Sequence, residues 1–132
     1  MVLLLQVVIN KCHSMKKHTI EEISALSKEE FEKIFDDCPI TYTMNVIGGK
    51  WKPIILSRIG MGINRFGQMQ RSIPTISKQM LTAQLRELEE ANLIHRKVFA
   101  EVPPRVEYTV SENGKAVFPI LEAMALWGKS QQ

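Results

Sequence analysis

Lys78, Gln79, Thr82, Ala83 and Arg86 fall within "SIPTISKQMLTAQLREL", residues 72–88. At about 100° per residue they share one arc of a helix, beside a stripe of Leu81, Leu85 and Leu88 at i, i+4, i+7 spacing. Glutamine bonds an adenine edge through both ends of its amide, lysine reaches guanine or a phosphate, and threonine offers a hydroxyl and a methyl. Ala83 permits close approach or meets a thymine methyl, and Arg86, farther along, suits a phosphate. The plainer reading is a solvated helix face. Such faces mostly mix the signs of charge, however, and this arc holds no carboxylate between residues 78 and 86.

A second chemical candidate is Cys38, directly before Pro39. Amides at a helix start stabilise a thiolate, whereas the neighbouring Asp36 and Asp37 raise the thiol pKa. A packed structural cysteine is the competing assignment. Cys12 with His13 and His18 makes a poor metal set, so no metal is expected, and no cofactor. With no CxxC, paired carboxylate, Gly-rich phosphate loop or metal-ligand spacing, nothing points to an enzyme.

Charge along the chain separates sharply. Between Cys38 and Arg86 there is no Asp or Glu, while Lys50, Lys52, Arg58, Arg65, Arg71, Lys78 and Arg86 supply seven cations. Residues 15–37 carry seven acids against four lysines. Such a central block attracts polyanions, nucleic acid first. The 132 residues suit one domain. Two cysteines without a secretion signal indicate a reducing cytoplasm. "MVLLLQVVI" falls short of the ~20 apolar residues that span a bilayer, so no membrane is expected. Residues 1–14 read as an upstream extension, with Met15 the expected natural start.

The elements that must position these groups follow from local signals. Thr19 with Glu22 and Ser27 with Glu30 have capping-box spacing, for helices near 20–26 and 28–36. Pro39 opens a helix, with Gly48 just past its end. Another covers Lys50 to Ile59 and buries Trp51, Ile54, Ile55 and Ile59. A short strand is predicted at Asn64 to Phe66, then a brief helix and a turn at Pro74. Ser77 caps the quoted helix and Asn92 follows its end. "LIHRKVF" and "RVEYTV" read as strands joined through "AEVPP". In them, Arg96, Lys97 and Arg105 are candidate minor-groove or phosphate contacts, and His95 is a packed or exposed strand residue. Ser111 caps a last helix, where Pro119 is expected to make a kink costing ~3 kcal/mol. Helix, turn, helix, hairpin is the order of a winged helix, whose second helix enters the major groove.

Cys38 to Gly128, with "GGKW", "RF", "IS" before "ML", "LRELE", "PPRVEY" and the closing "WG", resembles the HxlR-type winged-helix transcriptional regulators of bacteria, relatives of the MarR group. The resemblance implies an α+β, mostly helical winged helix-turn-helix with extra N- and C-terminal dimerisation helices. It further implies a homodimer acting on a double-stranded operator with two half-sites, as a repressor more often than an activator. By resemblance, Ser77, Lys78, Gln79 and Thr82 take base- and backbone-contacting roles. Arg65 is a phosphate clamp and Arg105 the wing arginine; Arg86 and Lys97 complete the DNA-binding set. Gly67 departs from the serine frequent in the family. Some members use a cysteine at the position of Cys38 to sense oxidants or electrophiles.

Residues 1–27 are expected to be an extension, partly disordered or dimer-associated, and 28–132 the DNA-binding domain with its dimerisation helices. The last helix, with Phe118, Leu121, Met124 and Trp127, leaves almost no polar face, so burial across a two-fold is expected. Phe31 and Phe35, with Ile34, are its expected partners. The competing function is a winged-helix protein-interaction module without DNA binding, which predicts carboxylates or apolar residues on the 78–86 arc.

Overall fold

Short-range capping accounts for the start of the second helix. The computed structural model describes residues 20–36 and 38–132, leaving aside the side chains of Ile20, Ile23, Phe31, Ile34, Phe35 and Asp36. Expectations placed on residues 1–19, on Asp37, and on the side chains of Phe31, Ile34, Phe35 and Asp36 lie outside that description. Helices α1 (Ile20–Ala25) and α2 (Lys28–Asp36) flank Ser27. The Ser27 amide donates to Glu30 Oε2 at 3.0 Å and the Glu30 amide donates back to Ser27 Oγ at 3.3 Å, a complete capping box. The Ser27 amide foremost, and then the Ser27 hydroxyl, which donates to the same oxygen at 2.9 Å, hold the Glu30 carboxyl below its ordinary range. Helix α3 (Pro39–Ile47) has its proline in the first position, where no amide is missed.

The chain divides into two compact units, Met1–Val46 and Ile47–Gln132. The second contains α4 (Trp51–Gly60), α5 (Phe66–Ser72), α6 (Lys78–Glu90), strands β1 (Ile94–Phe99) and β2 (Arg105–Val110), α7 (Glu112–Lys115) and α8 (Phe118–Ser130). Its core is a meeting of stripes. Ile55, Leu56 and Ile59 of α4 are buried with Met69 of α5, Leu81, Leu85 and Leu88 of α6, and Leu93 and Ile94 at the wing base. Trp51 and Ile54, expected in the core, are only half-buried, and Leu56 takes their central place. Asn92 ends α6 with φ of 55°, the left-handed conformation its position suggests.

The two strands pair antiparallel, with Ile94 opposite Val110 and Phe99 opposite Arg105. No strand forms at Asn64 to Phe66: the segment gives one sheet-like bond, Tyr108 amide to Asn64 carbonyl at 2.9 Å, too few to build a ladder. The expected single last helix is divided. Ser111 Oγ accepts from the Gly114 amide at 2.9 Å and donates to the Asn92 carbonyl at 2.7 Å, locking α7 to the end of α6. A Cβ on Gly114 would collide with the Leu93 carbonyl. Because α8 starts at Phe118, Pro119 sits in its first turn, and the kink expected of Pro119 is absent.

Candidate nucleic-acid interface

Helix α6 is presented by its cap and its bed. Ser77 Oγ accepts from the Met80 amide at 3.1 Å, which fixes the first turn and with it Lys78 and Gln79. Lys78, Gln79, Ala83 and Arg86 are exposed and Thr82 is half-buried. The Thr82 hydroxyl donates to the Lys78 carbonyl at 2.8 Å, so its lone pairs and methyl are what it offers outward. Beneath, Lys52 of α4 meets Glu87 at 2.8 Å, with the lysine side chain only 12% exposed, and this pair pins α6 to α4.

On the outer face of the wing the cations are already engaged. Alternation places Lys97, Phe99, Arg105 and Glu107 together. Glu107 Oε1 accepts from Arg105 Nη1 at 3.2 Å and from Arg65 Nη2 at 3.4 Å. Arg105 also meets Glu101 at 3.0 Å and lies 4.1 Å from the centre of the Phe99 ring. Its Nε is buried without a partner. Arg105 therefore braces the hairpin in this structure, and Arg65 joins the start of α5 to the wing. Lys97 Nζ lies 4.9 Å from the Phe99 ring centre.

The inner face differs. Thr82, Leu85, Arg86 and Glu89 of α6 border a cleft with Arg96 of β1 and Tyr108 of β2. Arg96 shares strand parity with the buried Ile94, and that alternation is the signal that links it to α6 rather than to Lys97. The helix face has a limit too. Glu89 falls on the same arc as Lys78 and Thr82 once the helix is followed past residue 86, so the carboxylate-free stretch ends there.

The cationic block continuous in sequence is dispersed in space. Lys52 is consumed by Glu87 and Arg65 by Glu107. Arg58 Nη1 turns to Met61 Sδ at 3.7 Å, and Arg58 lines a groove with Pro53, Ile54, Leu121 and Met124, away from the α6 arc. On α8, Phe118 and Leu121 are half-buried within their own chain, and a Cβ on Gly60 would lie 2.6 Å from the Phe118 ring. Leu126 at 64% and Trp127 at 69% are exposed, as are Ile120 and Met124. Cys38 is a half-exposed thiol at the entry to α3. Among the described residues, no helix is long and apolar enough to cross a membrane, and no group of three or more His, Cys, Asp or Glu could hold a metal ion.

A capped, cation-bearing second helix, a leucine bed and a two-stranded hairpin define a winged helix-turn-helix. Residues 46–132 match the model of the HxlR-like helix-turn-helix family, and the chain belongs to that family. It is 51% identical over 92 residues to an uncharacterised HTH-type transcriptional regulator of Methanothermobacter thermautotrophicus, covering 70% of each chain. The redox regulator HypR in its oxidised form superposes with a TM-score of 0.69 at 45% identity, covering 72% of this chain and 98% of that one. A MarR-family regulator from Enterococcus faecalis superposes with a TM-score of 0.63 at 33% identity, covering 80% of this chain and 89% of its own. This protein is accordingly a helix-turn-helix transcriptional regulator, of a family that acts by binding rather than by catalysis.

Proposed function

We propose that the protein is a homodimeric repressor that reads a double-stranded operator of two half-sites, one α6 in each major groove. The observation that carries this reading is the arc itself: Lys78, Gln79, Ala83 and Arg86 stand exposed on a helix fixed by a hydroxyl cap at one end and a partly buried ion pair near the other. In this reading Gln79 and Thr82 read base edges, and Ser77, Lys78 and Arg86 contact base edges or backbone. Arg65, Lys97 and Arg105 serve phosphates, the two arginines exchanging part of their carboxylate contacts for DNA. Half-sites then lie about one helical turn, ~34 Å, apart.

The exposed Met124 and Trp127 supply the apolar surface for a two-fold contact, with Phe118 and Leu121 buttressing it from within. Footprinting on DNA upstream of the gene and its neighbours, over a salt series, tests the proposal. Affinity falls steeply with salt if roughly 6–10 phosphates are contacted, and a flat response refutes it. Gln79→Ala relaxes discrimination by about 1–3 kcal/mol at one base pair per half-site. Arg65→Ala weakens all sequences alike.

Cys38 is the proposed point of control. Its half-exposed thiol stands at a helix start, and the similar HypR is named a redox regulator. Oxidation there favours one dimer geometry over another and so shifts the spacing of the two α6 helices. An oxidant response unchanged in Cys38→Ser removes this role.

A further inference from the structure

We propose that the cleft between α6 and the inner face of the wing seats a phosphate oxyanion, held between the guanidinium groups of Arg86 and Arg96. The proposal deepens the DNA-binding reading, on which it rests in part. The cleft has a volume of about 330 Å³, with Leu85 and Tyr108 as its buried floor. Arg86 and Arg96 are both exposed, and among the described residues neither side chain makes an ion pair or hydrogen bond. That sets them apart from Arg65 and Arg105, which are held by Glu107.

Two unpaired cations bordering one cleft repel each other, and an anion placed between them turns that repulsion into attraction. A guanidinium presents its donors as a planar fork that matches two oxygens of a phosphate, so two forks can clamp one group. Register supplies the second fork, because Arg96 lies opposite Tyr108 and on the strand face that carries Ile94 inward. Glu89 opposes an anion here, but two guanidiniums against one carboxylate leave the cleft net positive. Thr82 and Arg86 also belong to the exposed arc, so the cleft is continuous with the surface proposed to meet DNA. The phosphate comes either from the DNA backbone or from a free anion.

The test uses the full chain with Arg86→Ala, Arg96→Ala and the double variant, binding a mixed-sequence duplex about three helical turns long over a salt series. Alongside, inorganic phosphate is titrated into the protein without DNA, with the arginine Nε–Hε signals followed by NMR. For a backbone phosphate, each single variant lowers the slope of log Kd against log salt by about one per subunit. The double variant then lowers it no further, since one group is shared. For a free anion, phosphate gives a saturable shift that Arg96→Ala abolishes, while the duplex slope stays unchanged. Slopes untouched by Arg96→Ala together with no saturable response overturn the proposal and leave the DNA reading standing. If the native chain binds no duplex, the DNA reading falls and the phosphate titration alone decides the cleft. Glu89→Gln tightens binding in whichever arm responds, and Arg96→Gln carries the same readouts if the alanine variant fails to fold.

Discussion

The two faces of the wing hold their cations differently. On the outer face Arg65 and Arg105 share Glu107, and Arg105 adds Glu101 and the Phe99 ring. On the inner side Arg86 and Arg96 have no ion pair among the described residues, and neither has Lys78 at the start of α6. Paired cations brace a structure, since their field is largely cancelled at short range. Unpaired cations keep their field and their hydrogen-bond donors for something outside the chain. A count of positive residues does not separate the two kinds, and only the second kind attracts a polyanion strongly.

Replacements that break this contrast can be ranked by their effect on stability. Leu85→Ala is expected to have the largest: removing the shared floor of α6 and the cleft costs about 2–5 kcal/mol in urea denaturation and lowers DNA binding with it. Glu107→Ala comes next, at about 1–2 kcal/mol, between the exposed and the fully buried cases, because its side chain is 20% exposed and its loss leaves Arg65 unmatched and Arg105 with Glu101 alone. Ser77→Ala costs about 1 kcal/mol through the lost cap, and it loosens the turn that carries Lys78 and Gln79. Lys78→Ala has the smallest effect, within about 0.5 kcal/mol on stability, yet it lowers affinity for every duplex and reduces the salt slope by about one. Thermal melting of Lys78→Ala and Glu107→Ala side by side sharpens the contrast most. Equal destabilisation by the two would erase it.

Much of the fold was legible because it is written in short-range terms. Ser27 with Glu30, Ser77, Asn92 and Ser111 each act within a few residues of themselves, and all four take the conformations their types favour. The kink expected of Pro119 is absent for a related reason. Its cost depends on where the helix begins, and that start is set by the break after α7, whose Gly114 packs against Leu93 from another element. Asn64 to Phe66 looked like a strand because of local types, but a strand exists only through its partner. Strand parity alone separates Arg96 from Lys97 and Arg105, with which it is grouped by sequence, and continuing the helix arc one turn further brings in Glu89.

The amino-acid order alone determined most of the helices and both wing strands, the leucine stripe and the identity of the exposed arc, because helix period, strand alternation and caps act over a few residues. Which cations stay available was decided only by the folded chain. Lys52 finds Glu87 and Arg65 finds Glu107 across gaps of tens of residues, and charge pairing at that range is set by packing, not by sequence neighbourhood.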